Sequence, residues 1–402
     1  MYNIVTGVGT FLKTSDIKID YEVFRLHYTF TVGIFLTFFI IVTTKQFAGD
    51  PILCETGENA VSKNVISNYC WIHSTYVLPK AFYQEFHSAW SPVRRELTFQ
   101  FTSQVGVDVP HPGIASSQDT RQFYFLKYYQ WIYFMLFFQA VLFYTPRFIW
   151  KNWEGEKMKT LTKDFENALL HEDQLEETFK GLTSYLIKTW STNNAYAMKY
   201  FFCEFLTLIN VVGQFFLLDL FFDGQYLSYG YNVVTFYNSD KFINSGKPTV
   251  DIQGDPMIML FPRVTKCIFR KFGRTSLIEV HDVLCIMALN IINEKIYLFL
   301  WFWLIILGFL TAITLLMDFL IIVSANIRIY ALQMRFYLID ERDLRILVQS
   351  GSYGDWFLMD LLGRNMDHII FKNVVQEISN KFSDQKKLMI SAAAAFASYR
   401  KK

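Results

Sequence analysis

The chain has 402 residues, of which 52% are hydrophobic and only 18% are charged. Soluble domains average about 25% charged residues, so this apolar excess indicates a protein that buries much of its surface in a lipid bilayer. The formal net charge of +2 gives no basis for nucleic-acid binding. Five cysteines are too few for a small domain held together mainly by disulfides.

Four apolar segments are long enough to cross a bilayer, which takes about 20 residues of α-helix. In chain order they are predicted at 26–44, 128–147, 200–222 and 296–323. The third contains Glu204 and Asp219, and the fourth contains Asp318. Four core helices of a soluble protein are the alternative, but long uncharged runs do not suit helices with one face in water. The sequence therefore predicts an all-α integral membrane protein with a four-transmembrane-helix bundle.

The segments between the spans differ in their content of Lys and Arg. Residues 1–25, 148–199 and 324–402 together carry more of these residues than 45–127 and 223–295 do. Because loops rich in Lys and Arg tend to stay in the cytoplasm, this bias predicts cytoplasmic termini and two extracellular loops. Amphipathic patterns in the inner segments predict a helical cytoplasmic domain. The chain is therefore predicted to cross a membrane in multiple passes.

Four of the five cysteines lie in the two predicted outer loops. Cys54 and Cys70 are in the first loop, and Cys267 and Cys285 are in the second. Two spans separate these loops, so all four cysteines lie on one side of the membrane, and disulfides persist on the outer side. Three pairings are open. A zinc site is the alternative, but the close Cys-x2-4-Cys spacing of structural zinc sites is missing.

Several short motifs lie at the ends of the spans and in the segments between and after them. The start of the second span reads Tyr128-Tyr129-Gln130-Trp131, and Pro146-Arg147 follows at its end. Other such stretches are 23–28 (VFRLHY), 49–51 (GDP) before Cys54, 68–72 (NYCWI), 261–267 (FPRVTKC) and 354–358 (GDWFL). These motifs resemble those of the innexin family, and the resemblance covers nearly the whole chain, from about residue 10 to about residue 380. One departure is Met287-Ala288, where the family is expected to have Leu-Pro.

The resemblance implies a structural subunit of gap-junction channels and hemichannels that pass ions and small molecules passively between adjacent cells. It implies a homo-octameric ring, with a hexameric ring as the alternative, docked through the extracellular loops to a second ring on the neighbouring cell. It also implies disulfides that tie the first loop to the second. Membrane lipids and other innexins are the remaining expected partners. No cofactor, metal or nucleic acid is expected.

The resemblance further implies that the start of the chain folds back toward the pore. Ile4, Val8 and Phe11 recur at helical spacing and predict a short amphipathic helix. A funnel at the cytoplasmic mouth is one interpretation of this helix, and a helix lying on the membrane surface is the other.

Three charges lie close to the outer end of the first span. They are Lys45, Asp50 and Glu55. Rings of like charge in a pore set ion preference, so these residues are candidates for the pore lining. Charges that are paired or merely solvated are the alternative. Glu204 and Asp318 are acids within the spans, which makes them candidates for function, although a structural position facing the bundle is the alternative.

Other classes of protein fit less well. The chain has no GxxxxGK[ST] phosphate loop, no HExxH zinc helix and no GxSxG elbow, so an enzyme is not predicted. Transporters usually show internal repeats or broken, charge-bearing spans, and neither pattern is evident in the sequence. An adhesion or scaffold protein that uses its loops without conducting remains open.

Overall fold

The computed structural model describes residues 17–55, 62–82, 111–115, 122–168, 172–238, 254–273 and 276–399. These residues belong to two compact units. The helical unit comprises Met1–Gly33, Val141–Asn210 and Leu307–Lys402, and the sheet unit comprises Ile34–Ala140 and Val211–Ile306. Each of the four membrane-type helices contributes residues to both units.

In chain order the helices are α1 (Glu22–Ala48), α2 (Lys63–His73), α3 (Ile132–Glu154), α4 (Lys157–Ala168), α5 (Glu172–Lys188), α6 (Asn194–Phe221), α7 (Tyr229–Tyr237), α8 (Pro256–Leu260), α9 (Ala288–Val323), α10 (Ala325–Arg335), α11 (Glu341–Ser350), α12 (Tyr353–Asn365) and α13 (His368–Tyr399). The strands are β1 (Leu53–Cys54), β2 (Thr75–Val77), β3 (Tyr124–Leu126), β4 (Val264–Phe272) and β5 (Ile278–Ile286). Short 3-10 helices occupy Pro79–Phe82 and Tyr128–Gln130.

In the part of the chain that the structure describes, four helices are long and apolar enough to cross a membrane. They are α1, α3, α6 and α9, with 27, 23, 28 and 36 residues. Inside hydrocarbon every peptide group needs an internal hydrogen-bond partner, and a helix supplies one to each. The chain is therefore mostly helical and has the four spans that the sequence predicts.

The helices extend beyond the predicted spans at most of their ends. α1 begins at Glu22 and α9 at Ala288, because a helix can continue past the hydrocarbon while hydropathy marks only its apolar part. At the second span the helix begins later than the predicted segment. Residues Tyr128–Gln130 form a separate 3-10 helix, and α3 starts only at Ile132. Pro146 lies inside α3, which continues to Glu154.

α1 contains a π-helical segment, Leu26–Thr31. Such segments are rare and occur often at functional positions. Here the segment carries His27, which is buried and whose Nε2 lies 2.8 Å from Thr311 Oγ1 of α9. The ring of His27 stacks on Phe143 of α3. The helical unit thus fixes the early part of α1 against two other spans.

The sheet unit contains a five-stranded antiparallel sheet that was not predicted from the sequence. Its order is β1-β5-β4-β2-β3. β4 and β5 pair along their whole length, from Val264 opposite Ile286 to Phe272 opposite Ile278. In β4 the residues from Val264 to Phe269 alternate between half-buried and buried positions, as expected when one face of a strand is packed.

The core of the helical unit is built around α12. Ten consecutive residues of this helix, Gly354 to Gly363, are buried. The helix begins with a capping box in which Asp355 accepts from the backbone N–H of Ser352, and the Gly354 N–H donates to Asn194 Oδ1. A side chain at Gly354 would overlap the backbone of Asn193 and Asn194. This explains why the run at 354–358 starts with glycine.

Candidate functional site

Two disulfides join the first inter-span loop to the second within the sheet unit. Cys54 of β1 bonds to Cys285 of β5, and the two residues are direct partners in the strand register. Cys70 of α2 bonds to Cys267 of β4. The bridges close chain separations of 231 and 197 residues. We call this disulfide-tied part of the sheet unit, residues 52–55, 62–77 and 264–286 where described, the cap.

The bridges form the core of the cap. All four cysteines are buried, and they pack with Ile52, Ile66, Phe269 and Val283. The ring of Tyr69 meets that of Phe269 edge to face at 4.9 Å. The sulfur atoms of Cys54, Cys70 and Cys285 lie within 4.8 Å of one another. Because all four sulfurs are bonded in pairs, this cluster offers no thiolate to a zinc ion.

The Tyr128–Trp131 motif attaches α3 to the cap. Tyr129 donates from its hydroxyl to the carbonyls of Cys70 and Trp71 at 3.3 Å, and Gln130 donates from its side-chain amide to Trp71 and Ile72. These carbonyls lie in the last turn of α2, where helix carbonyls lack intrahelical partners. The motif therefore supplies hydrogen-bond donors to the free carbonyls at the end of α2 and fixes this end of the helix beside the second span.

The start of α9 is held by a second set of polar contacts in the sheet unit. Asn290 donates from Nδ2 to the Tyr128 hydroxyl at 2.9 Å and to the Pro262 carbonyl at 2.7 Å. Arg263 pairs with the buried carboxylate of Glu294 at 3.0 Å. These polar side chains are buried because each has a specific partner. Trp131, the last residue of the motif, is exposed.

The outer half of the β4–β5 pair, which we call the ribbon (Ile268–Phe272 with Ile278–Asp282), presents an apolar face. Phe272 and Ile278 are opposite each other, Val280 is opposite Arg270, and all four side chains point to one face because residues alternate along a strand. Phe272, Ile278 and Val280 are 77%, 63% and 61% exposed. Among the described strands none flanks the ribbon, since β2 reaches only Lys266 and β1 only Cys285 and Ile286.

Three charged residues of the ribbon, Lys271, Glu279 and Asp282, form ion pairs within it or with a neighbouring residue, whereas Arg270 is exposed on the same face as Val280. Lys266 Nζ lies 2.6 Å from Asp282, and Lys271 Nζ lies 3.2 Å from Glu279. The Tyr76 hydroxyl donates to Asp282 at 3.0 Å, and partial burial together with this carboxylate raises the pKa of Tyr76 above its ordinary value. The ribbon was not predicted from the sequence, although the alternation of apolar and polar residues at 278–281 (IEVH) was a signal for it.

The predicted pore charges are spread from the last turn of α1 to the residue that follows β1. Lys45 is in the last turn of α1, Asp50 follows Gly49, and Glu55 follows β1; all three are exposed. The Glu55 N–H donates to the Leu284 carbonyl at 2.8 Å, which extends the pairing of β1 with β5. Within the described residues none of the three forms an ion pair. Ile4, Val8 and Phe11 lie outside the described residues.

The two acids within the spans meet inside the helical unit. Glu204 of α6 and Asp318 of α9 are buried and close enough to interact electrostatically. Their side chains therefore face the helix bundle. Cys203, next to Glu204, is a free buried thiol.

The carboxylate of Asp20, just before α1, is buried and accepts hydrogen bonds from three side chains. This role was not predicted from the sequence. The Asp20 carboxylate accepts from Arg25 at 3.1 Å, from the Tyr28 hydroxyl at 2.9 Å and from Arg147 of α3 at 2.7 Å. On either side of it, the Ile19 carbonyl accepts from the Trp150 indole and the Tyr21 N–H donates to the Tyr200 hydroxyl. The Pro146-Arg147 motif thus supplies a partner for a buried acid 127 residues earlier.

These features define a class of protein: a four-helix membrane protein whose two loops on one side of the membrane are tied together by disulfides. A sequence model described as Innexin matches residues 20–382 of the chain. Innexin shaking-B of Drosophila melanogaster is 42% identical over 382 residues, with 95% of each chain covered. Innexin inx1 of Schistocerca americana is 38% identical, with 95% of this chain and 98% of the relative covered. The chain therefore belongs to the innexin family, whose members are gap-junction channel subunits.

Replacing Cys54 with Ser removes one bridge and leaves Cys285 unpaired in the core of the cap. We expect loss of cell-to-cell coupling and a cost of about 2–5 kcal/mol in stability, measured as a lower Tm of the purified protein and as junctional conductance. Cys203→Ala is the matched control because Cys203 forms no bridge. A Cys54→Ser protein with full coupling and an unchanged Tm would contradict a structural role for the bridge.

Proposed function

We propose that this chain assembles into a homo-octameric ring, with a hexamer as the alternative, and that its cap docks to a second ring on the adjoining cell. The resulting channel passes ions and small molecules passively between the two cells. In this arrangement the cap is extracellular, both termini are cytoplasmic, and the four helices cross the plasma membrane. The observation that carries the proposal is the pair of loop-to-loop disulfides on a four-span innexin.

The construction of the cap suits a docking surface. Two disulfides, a packed core and the Tyr129 and Gln130 contacts hold residues from both loops in one arrangement. Such preorganisation lowers the ordering cost when two surfaces meet. The chain also has no Asn-x-Ser/Thr sequon, so no N-glycan would separate two opposed caps. Disulfide-bonded cysteines persist in the oxidising space outside the cell, which supports an extracellular cap.

The first test is junctional conductance between two paired cells that lack coupling proteins of their own and express only this chain. We expect conductance above background together with passage of a small dye, since one chain suffices for a homomeric ring. Adhesion without conduction, with the protein confirmed at both surfaces, would instead favour a scaffold role. Coupling that appears only when a second innexin is co-expressed would overturn the homomeric ring and retain the channel.

We propose that Lys45, Asp50 and Glu55 line the outer part of the pore. Their exposure without ion-pair partners in the described structure supports a position facing water. Neutralising a carboxylate in a pore ring weakens attraction for cations. Asp50→Asn should therefore lower the cation-to-anion permeability ratio of unpaired hemichannels, measured from reversal potentials in asymmetric salt. Lys63→Gln on exposed α2 is the control, and an unchanged ratio in Asp50→Asn would identify Asp50 as a merely solvated charge.

The amphipathic pattern of Ile4, Val8 and Phe11 supports a funnel at the cytoplasmic mouth of the pore. This part of the proposal rests on the helical spacing of these residues and on family membership. Unitary conductance after deletion of residues 2–12 is the measurement that distinguishes a funnel from a helix on the membrane surface.

The apolar face of the ribbon is proposed as part of the docking contact. Large exposed apolar patches outside the bilayer mark protein–protein contacts, and burial of one such side chain contributes about 1.5–3 kcal/mol. The double substitution Phe272→Ser and Ile278→Ser should reduce junctional conductance by about tenfold or more while unpaired hemichannel currents persist. Tyr337→Ser, an equally exposed aromatic in the helical unit, is the control.

Junctional conductance and hemichannel current together distinguish a role of the ribbon in docking from a role in forming the ring. Loss of hemichannel current together with junctional current would mean that the ribbon is needed for the ring itself. Retention of both currents in the double variant would remove the ribbon from the docking surface.

A further inference from the structure

The residues just before α1 form a segment without regular secondary structure, and α12 binds the backbone of this segment. Asn365, at the end of α12, accepts the Lys18 N–H on Oδ1 and donates from Nδ2 to the Lys18 carbonyl, each at 2.6 Å. One side-chain amide thus forms hydrogen bonds with both backbone polar groups, the N–H and the carbonyl, of a residue 347 positions away. Its Nδ2 also donates to the Leu361 carbonyl at 2.8 Å, which orients the amide on its own helix.

Arg364, the preceding residue of α12, contacts two side chains of the same segment. Its Nη1 lies 3.1 Å from Glu22 Oε1, and its guanidinium lies over the Tyr21 ring at 4.3 Å from the ring centre. Its Nε donates to Asp360 at 3.1 Å. Although burial lowers the pKa of Arg364, the attraction of Asp360, Tyr21 and Glu22 raises it above its ordinary value, so the guanidinium stays charged.

The same segment is attached on its other side to two membrane spans. Asp20 accepts from Arg147 of α3, and the Tyr21 N–H donates to Tyr200 of α6. Residues 18–22 therefore lie between α12 and the bundle, directly before α1. A shift of α12 relative to α3 and α6 has to break contacts on one side of this segment or carry the start of α1 with it.

We propose that Asn365 and Arg364 are positioning residues that couple the C-terminal domain to the beginning of α1, so that movement of α12 changes the gating of the channel. This proposal rests on the proposed channel function. We call the contacts of Asn365 and Arg364 with residues 18–22 the clamp.

The strength of the Asn365 contacts in the clamp suits a coupling role better than a folding role. α12 is anchored by ten consecutive buried residues, Gly354 to Gly363, none of which belongs to the contact with Lys18. Asn365 is half-buried, and its bonds to Lys18 are open to water. Such hydrogen bonds add little to stability, so their loss leaves α12 in place while it releases the backbone of Lys18.

The test compares Asn365→Ala with Asn380→Ala, the same change at an exposed position of α13. In paired cells and in unpaired hemichannels, Asn365→Ala should change the open-to-closed ratio by about 2- to 10-fold at a fixed voltage, with normal surface expression. Asn365→Asp keeps the acceptor for the Lys18 N–H but places a carboxylate oxygen against the Lys18 and Leu361 carbonyls, so it should change the ratio at least as much. Asn380→Ala should behave as the parent.

Arg364→Lys provides a second line of evidence. It keeps the charge but loses the planar fork that reaches Glu22 and Asp360 together. If both residues act by holding one segment, the change in the double variant Asn365→Ala with Arg364→Lys should be less than the sum of the two single changes. Additive effects, or gating of Asn365→Ala equal to that of the parent, would overturn the proposal.

A readout that needs no conduction separates this inference from the proposed function. Hydrogen exchange of the Lys18 amide in the purified full-length protein should be faster in Asn365→Ala than in Asn380→Ala. If the parent chain does not conduct but Lys18 exchange responds, the channel function fails and the contact itself stands. If the parent conducts and neither exchange nor gating responds, only the clamp fails.

Discussion

The need to satisfy every peptide group inside the bilayer determines most of this structure. It makes α1, α3, α6 and α9 continuous helices, because no other local structure pairs each N–H and C=O within its own segment. Outside the hydrocarbon this constraint is absent, and the chain there forms both helices and strands. The five-stranded sheet accordingly draws its strands from the two loops between spans, where water and neighbouring strands can satisfy the backbone.

Within the cap, covalent bonds supply a rigidity that a small sheet lacks. Two of its strands, β1 and β2, have only two and three residues, and short strands contribute few hydrogen bonds and little buried area. The bridges Cys54–Cys285 and Cys70–Cys267 connect chain segments that are 231 and 197 residues apart, and they also fill the centre of the apolar cluster. Rigidity of the cap therefore follows from its cross-links and the surrounding packing more than from its strands.

The sequence predicts the structural features that depend on a local pattern of residues. It does not predict the features that depend on partners distant in the chain. Apolar runs reveal the four spans, but the extension of α9 to Ala288 includes Asn290 and Glu294, which are polar in sequence and buried by contacts with Tyr128, Pro262 and Arg263. The cysteines left three pairings open, and the strand register opposite Cys285 selects Cys54. The sheet escaped prediction because three of its strands are too short to show a period.

The clamp was equally invisible in sequence, since no pattern links Lys18 to Asn365. The clamp consists of noncovalent, reversible contacts and the cap is cross-linked by covalent bonds, and this difference has a physical reason. A surface that meets another cell's protein benefits from a single arrangement, and the cap has covalent bonds that thermal motion does not break. A coupling between a domain and a gate needs an energy near that of the gating equilibrium. Hydrogen bonds with a net contribution of about 0.5–1.5 kcal/mol each lie in that range, because about 1.4 kcal/mol changes an equilibrium tenfold. A covalent link at Asn365 would fix α12 to α1 permanently, whereas a water-accessible amide can hold the segment in one state and release it in another.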